Sequence, residues 1–312
     1  MERGLVSIIT PCLNGQEFVK RYLDSIFNQT YKNLELIFVN DGSTDLTEQI
    51  VLSYKQKFED KGIKLIHIYQ ENKGLAEAIN TGLKVFNGEY LIWPDADDTL
   101  VPSSIEKRVG FLNKNKDYGL VRSEANIIDD KTNKIIGAIK GKPKQDIFED
   151  LIFDKTYLCC GCYMIRTEEF LQVVPNKHLY GSKSGQNWQM LLPITRKYKC
   201  GYIQEKLYNY YIREDSHSHI VKGFEAEIER TYVHHDILSN VLKQINEYEN
   251  YEKRLNIKYI RKRFVISCKH NMTKDVKQYY LELKKEKAID SKVFIAYYKQ
   301  VLKSFFGGKN DK

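Results

Sequence analysis

Apolar runs that end in turn residues, each followed by a helical periodicity, recur through residues 6–93 and leave this chain few folds to choose from. Val6 to Thr10 reads as a strand. Val19, Tyr22, Leu23, Ile26 and Phe27 then fall at i, i+3, i+4, i+7 and i+8, one apolar face of a helix. Leu34 to Val39 is nearly all apolar, as expected of a strand in a parallel sheet covered on both faces. It ends in Asn40-Asp41-Gly42-Ser43-Thr44-Asp45, a turn with good helix-capping residues. A further helix, a strand at Lys64–Tyr69, a helix at Leu75–Phe86 and a strand at Tyr90–Trp93 complete the series. The pattern predicts a doubly wound α/β sheet.

Beyond residue 100 the alternation loosens. A helix is expected over Ser103–Asn115, strands over Leu120–Ala125 and Leu158–Ile165, and a hairpin near Lys131–Lys134. The Asn187–Tyr198 segment reads as a helix containing Pro193, and short strands follow at 201–204 and 207–212. From Gly223 onward the pattern is helical. Its clearest member carries Val293, Tyr297, Val301 and Phe305 at i+4 spacing, with Phe294, Tyr298, Leu302 and Phe306 beside them.

The net charge of +8 lies in the tail. Residues 1–219 hold 29 basic and 29 acidic residues, whereas residues 220–312 hold 20 and 12. The expected division is therefore a neutral body, 1–220, and a basic helical extension, 221–312. No apolar run reaches the roughly 18 residues of a membrane span. Six cysteines, two of them adjacent, do not form a secreted disulfide framework, and the start does not resemble a signal peptide. These features point to a reducing, cytoplasmic setting and leave the sequons at Asn28 and Asn271 without weight. Cys159, Cys160 and Cys162 lack a second ligand pair at zinc spacing and read as core residues.

Three strand tips carry the candidate chemistry. The first ends in Thr10-Pro11-Cys12-Leu13-Asn14, the second in Asp41 and the fourth in Asp95-Ala96-Asp97-Asp98. In a parallel sheet they share one edge, where open α/β sheets hold ligands. Clustered carboxylates there suit a hard divalent cation that also takes diphosphate oxygens. Asp41 suits a base imide N–H or a ribose hydroxyl, although turn chemistry also accounts for Asp-Gly-Ser. Lys73 and Gly74 would open a helix whose N-terminus favours an anion. The absence of Gly-x-Gly-x-x-Gly and of a Walker loop argues against dinucleotide use or ATP hydrolysis.

In order, Ser-Ile-Ile-Thr-Pro-x-x-Asn, Val-Asn-Asp-Gly-Ser-Thr-Asp, Glu-Asn-x-Gly-x-x-x-Ala-x-Asn-x-Gly and Asp-x-Asp-Asp resemble family 2 glycosyltransferases. The match is close over residues 5–110 and looser to about residue 220. It implies a GT-A (Rossmann-like) mixed sheet and inverting transfer from a nucleotide-diphosphate sugar, usually UDP-linked, with Mn²⁺ or Mg²⁺. By the same resemblance Pro11, Leu13, Asn14, Glu17, Asp41, Asn72, Lys73, Asn80, Asp95, Ala96 and Arg213 contact the donor. Asp97 holds the metal with Asp98 close by, and His217 or His219 completes its sphere or bonds a phosphate oxygen.

Two departures stand out. Ile79 replaces a residue that is basic in many relatives. Gln186-Asn187 stands where relatives carry Glu-Asp, the Asp being their general base. An amide cannot serve as that base. Either another group does, the acceptor needs none, or the corresponding carboxylate lies elsewhere; Asn187 as a helix cap is the structural alternative.

The implied partners are the sugar donor and a glycan, lipid-linked or protein acceptor in cell-surface glycan synthesis, with no nucleic acid. The basic extension reads either as a peripheral membrane contact at the inner face of the cell membrane or as a helical cap or homodimer contact. One rival function is a nucleotidyltransferase, for which Thr10–Gln16 lacks the Gly-rich basic loop. The other is a non-catalytic sugar-nucleotide-binding or scaffold protein.

Overall fold

A computed structural model describes residues 1–180, 185–213 and 223–307, with side chains as far as residue 303. The chain forms two compact units, Met1–Arg213 and Glu214–Lys312. The division that the sequence places at residue 220 falls among residues 214–222, outside the described residues.

The first unit opens with β1 (Glu2–Cys12), α1 (Val19–Phe27), β2 (Leu34–Asn40), α2 (Thr47–Ser53), α3 (Lys55–Asp60) and β3 (Lys64–Tyr69). It continues with α4 (Leu75–Leu83), β4 (Gly88–Ile92), β5 (Thr99–Leu100) and α5 (Ser104–Lys114). Then come β6 (Tyr118–Asp129), β7 (Lys134–Ile139), α6 (Phe148–Ile152), β8 (Tyr163–Arg166), α7 (Thr167–Val173), α8 (Gln186–Lys197) and β9 (Lys199–Ile212). The strands run β3-β2-β1-β4-β8-β6-β9-β5 across one sheet, with β7 paired to β6. β1, β2, β3 and β4 are parallel, and β8 is antiparallel to both β4 and β6. The result is the expected mixed sheet flanked by helices.

The expected helical face of α1 is real: Val19, Tyr22, Leu23 and Ile26 are buried. All seven residues of β2 are buried too, because layers cover both sides of the sheet. The later strands differ from the sequence reading. The two short strands after residue 200 are one strand of 14 residues. Ser123 is level with Ile203 and Glu124 with Lys206, so Gln204 and Glu205 bulge out of a continuing ladder. The expected strand at Leu158–Ile165 shortens to β8, because Cys160–Cys162 form a 3-10 turn. A methyl group on Gly161 would lie about 2.0 Å from the Tyr208 ring, so only glycine lets that turn pack on β9.

The second unit contains α9 (Phe224–Gln244), α10 (Tyr248–Lys269), α11 (Thr273–Lys285) and α12 (Ser291–Gly307). Phe264, Val276, Tyr279, Leu283 and Val293 form its apolar centre. No helix among the described residues is long and apolar enough to cross a membrane.

Candidate active site at the carboxyl edge of the sheet

β1 lies between β2 and β4, all three parallel, with Cys12 level with Asn40 and Ile8 level with Ile92. Their carboxyl ends therefore project on one edge, and the Asp41 N–H donates to the Cys12 carbonyl at 2.8 Å. The three tips that the sequence nominated are thus neighbours.

Asp41 is 4% exposed. Its Oδ1 accepts Gln70 Nε2 at 2.6 Å and the Lys73 N–H at 3.0 Å, and its Oδ2 accepts the Gly74 N–H at 2.9 Å. The anion at the start of α4 is therefore the protein's own carboxylate, which uses two of the amides expected to receive a phosphate. Four acceptor positions on a carboxylate and three donors leave one on Oδ2. Asp41→Ala should strip these donors of their acceptor and cost about 1–3 kcal/mol of stability. A urea titration checks this; an unchanged midpoint would refute the bracing role.

The adjoining loops are latched to one another. Asn14, in the left-handed region at φ 51°, donates its N–H to Ser43 Oγ at 2.9 Å and accepts the Thr44 N–H on Oδ1 at 2.9 Å. Pro11 and Ala96 are buried, whereas Leu13, Glu17, Asn72 and Lys73 are exposed. Asn80 is 1% exposed and exchanges both amide functions with the main chain of Leu179, at 3.0 and 2.7 Å. Its amide is committed to packing between α4 and that loop.

Asp95, Asp97 and Asp98 bring carboxylate oxygens within 4.8 Å of one another. Their surroundings separate them. Asp98 is 1% exposed and points inward, its Oδ2 accepting Tyr208 Oη and its Oδ1 the Tyr211 N–H, both at 2.8 Å. Burial first, then Asp97 and Asp95, pushes its carboxyl well above the ordinary range. Asp97 pairs through Oδ2 with Arg213 Nη2 at 3.0 Å, and that guanidinium lies 4.3 Å from the centre of the Phe18 ring. Asp95 accepts the Cys160 S–H on Oδ2 at 3.1 Å, and burial followed by repulsion from Asp97 pushes its carboxyl up to about 6.

Arg21 belongs to this site and escaped the sequence reading. From α1 its Nη2 donates to the Asp97 carbonyl at 2.8 Å, its Nη1 pairs with Asp130 at 2.6 Å, and its guanidinium covers the Tyr211 ring at 3.6 Å. In sequence it is merely a polar position on an amphipathic helix. No local signal announces that β6 and β9 return to it.

Asn187 spans two walls of the site. Its Oδ1 accepts the Trp93 indole N–H and its Nδ2 donates to the Leu158 carbonyl, each at 2.9 Å. Trp93 leads into Asp95 along the chain, and Leu158 leads into Cys160, which bonds Asp95. Gln186 is 8% exposed at the first turn of α8. His217 and His219 lie outside the described residues.

The donor set suits a hard divalent ion. Asp95 and Asp97 offer carboxylate oxygens within 4.8 Å of one another, the hard donors such an ion takes. Asp98 is turned into the protein and fits better as a support.

Architecture and site together define the GT-A class of glycosyltransferase fold. The chain belongs to glycosyl transferase family 2, whose model matches residues 7–174. Among curated relatives, an uncharacterized glycosyltransferase of Rickettsia typhi is 44% identical over 133 residues, 42% of this chain but only 39% of that protein. The putative glycosyltransferase EpsE of Bacillus subtilis is 28% identical over 78% of this chain and 85% of its own length. TarS of S. aureus, solved in complex with UDP-GlcNAc, aligns with TM-score 0.57 over 97% of this chain and 92% of its own, at 16% identity. The mannosyltransferase PcManGT of Pyrobaculum calidifontis, solved with GDP-Man and Mn²⁺, aligns with TM-score 0.56 over 99% of this chain and 89% of its own, also at 16% identity.

Proposed function

We propose that this chain transfers a sugar, with inversion, from a nucleotide-diphosphate donor, UDP-linked by preference, to a hydroxyl on a glycan, lipid or protein acceptor. The process is cell-surface glycan synthesis at the inner face of the cell membrane. The observation that carries the reading is that β2, which ends beside Asp41, and β4, which leads into Asp95 and Asp97, flank β1 in parallel, so these acidic tips share one edge of the sheet. The nucleotide-sugar complexes of the two solved relatives support the donor class.

In this reading the remaining acceptor position of Asp41 takes a nucleoside N–H or hydroxyl. Asn14 keeps the adjoining loop in register, and Lys73 and Arg213 meet the phosphates. Asp95 and Asp97 would hold Mn²⁺ or Mg²⁺, which when bound neutralises charge growing on the diphosphate leaving group, an effect worth several kcal/mol. Arg21 fixes the main chain at Asp97, and Cys160 fixes the Asp95 carboxylate. Asn187 holds the walls and takes no proton.

The bonding of Asn187 also favours a second reading, a sugar-nucleotide-binding protein without transferase activity. UDP release separates the two. A panel of UDP-sugars with Mn²⁺ should contain one that stabilises the protein, by about 2.7 kcal/mol at 100 times its dissociation constant, and that is cleaved. Stabilisation without cleavage under any metal would overturn the transferase reading.

The acidic cluster also sets a pH dependence. A carboxyl whose folded value is raised from 3.8 to about 6 costs nothing while protonated, and penalises the folded state once ionised. Protein treated with EDTA should therefore lose stability as the pH rises from 4 through about 6, with Asp95 contributing at most ~3 kcal/mol of the loss. Mn²⁺ should restore it at neutral pH, and Asp95→Asn should shrink the loss and abolish the response to Mn²⁺. Denaturant titrations across pH test this, and a flat response to Mn²⁺ would exclude a cation at Asp95.

A further inference from the structure

The helical unit carries an exposed apolar surface on α12. One side of α12 is anchored: Val293 is 6% exposed, Gln300 Nε2 donates to the Cys268 carbonyl at 2.6 Å, and the Tyr297 ring stacks on Tyr280 at 3.8 Å. Away from that side, Phe294, Ile295, Tyr298 and Leu302 are 48%, 52%, 46% and 53% exposed. At 100° per residue they form one stripe, and the Phe294 and Tyr298 rings touch at 4.5 Å. Lys292, Lys299 and Lys303, all exposed and at spacings of seven and four, form a second row alongside it. Residues 291–303 contain no Asp or Glu, and Asp290 at the helix start is neutralised by Arg261 at 2.6 Å.

We propose that this stripe lies on an anionic lipid surface, its aromatic and aliphatic side chains entering the headgroup boundary and its lysines meeting the lipid charge. Charge decides between a bilayer and a second copy of the chain. A two-fold contact repeats the same patch on both partners, so it would set this lysine row beside its own copy with no carboxylate from the helix to answer it. An anionic bilayer supplies the missing charge, and an interfacial helix has this composition, apolar on one stripe and lysine-rich beside it. The inference deepens the proposed location at the cell membrane. Vesicle binding is read separately from sugar transfer, so either can fail alone.

The test is co-sedimentation of the full chain with vesicles of phosphatidylcholine alone, or of phosphatidylcholine and phosphatidylglycerol in equal parts. Binding should require the anionic lipid and weaken as salt is raised. Replacing Lys292, Lys299 and Lys303 together by Gln should weaken it on the order of 100-fold. A second variant, Phe294→Ser with Leu302→Ser, should weaken binding while leaving helical circular dichroism and UDP release unchanged, since both side chains are about half exposed. Equal binding to neutral and anionic vesicles would overturn the proposal, as would binding untouched by either variant. A concentration-dependent dimer in sedimentation velocity, abolished by the Ser variant, would also overturn it and assign the stripe to a second copy.

Discussion

Asp97→Ala is expected to lower kcat/KM for UDP release about 100- to 1,000-fold, since loss of cation assistance removes several kcal/mol at about 1.4 kcal/mol per tenfold. The same change should abolish stabilisation by Mn²⁺. It should cost little stability in EDTA, because it removes one of three carboxylates whose oxygens lie within 4.8 Å of one another. A merely structural Asp97 would give the reverse pattern: lost stability, through the stranded Arg213 partner, with transfer per folded molecule intact. Steady-state UDP release and thermal shift with and without Mn²⁺ therefore distinguish the two. Retained activity that still responds to Mn²⁺ would sink the assignment. Asp98→Asn should behave differently, because its carboxylate faces Tyr208 and the Tyr211 N–H.

The second large effect concerns residue 187. Asn187→Asp would place a carboxylate where the resemblance to the family suggests a base, which on chemistry alone could raise the transfer rate by about 10²- to 10⁴-fold. The geometry argues for the opposite. A carboxylate can still accept the Trp93 N–H, but its other oxygen would face the Leu158 carbonyl that Nδ2 now donates to. Two acceptors face to face in a half-buried site cost about 1–3 kcal/mol. We therefore expect Asn187→Asp to be less stable at neutral pH and no faster. The penalty should shrink on acidification, as the new carboxyl takes up a proton and can donate to Leu158; its folded pKa is raised, so stability is lost as pH increases. Denaturant titrations from acid to neutral pH, with rates at each, check both halves. A faster, equally stable variant would show that residue 187 is poised to act as a base.

These expectations rest on contacts that differ greatly in how well the sequence announced them. Strand tips in order along residues 10–14, 41 and 95–98 were readable because buried parallel strands are apolar runs and their ends are abrupt. The bonds that assign roles were not. Cys160 is 65 residues from Asp95, Arg21 is 76 from Asp97, and Arg213 is 116 from Asp97. Periodicity reports which face of an element is apolar, and carries nothing about which remote segment will cover it. The long ladder between β6 and β9 was missed for a related reason. Its bulge at Gln204-Glu205 places polar residues inside a strand, where a local reading expects a break.

Asp97 and Asp98 illustrate the division. Chain order alone established that oxygen donors would cluster after β4, and the alternation of strands and helices established that this cluster would share one sheet edge with Asp41. Neighbours in sequence, the two carboxylates nevertheless take opposite roles: Asp97 pairs with Arg213, and Asp98 is sealed against Tyr208. Tertiary structure made that choice, as it gave the free amides of α4 to Asp41 and both ends of the Asn187 amide to protein partners. The reason is energetic: a buried polar group must be matched by a specific partner, and every partner that settles a role here arrives from a distant part of the chain.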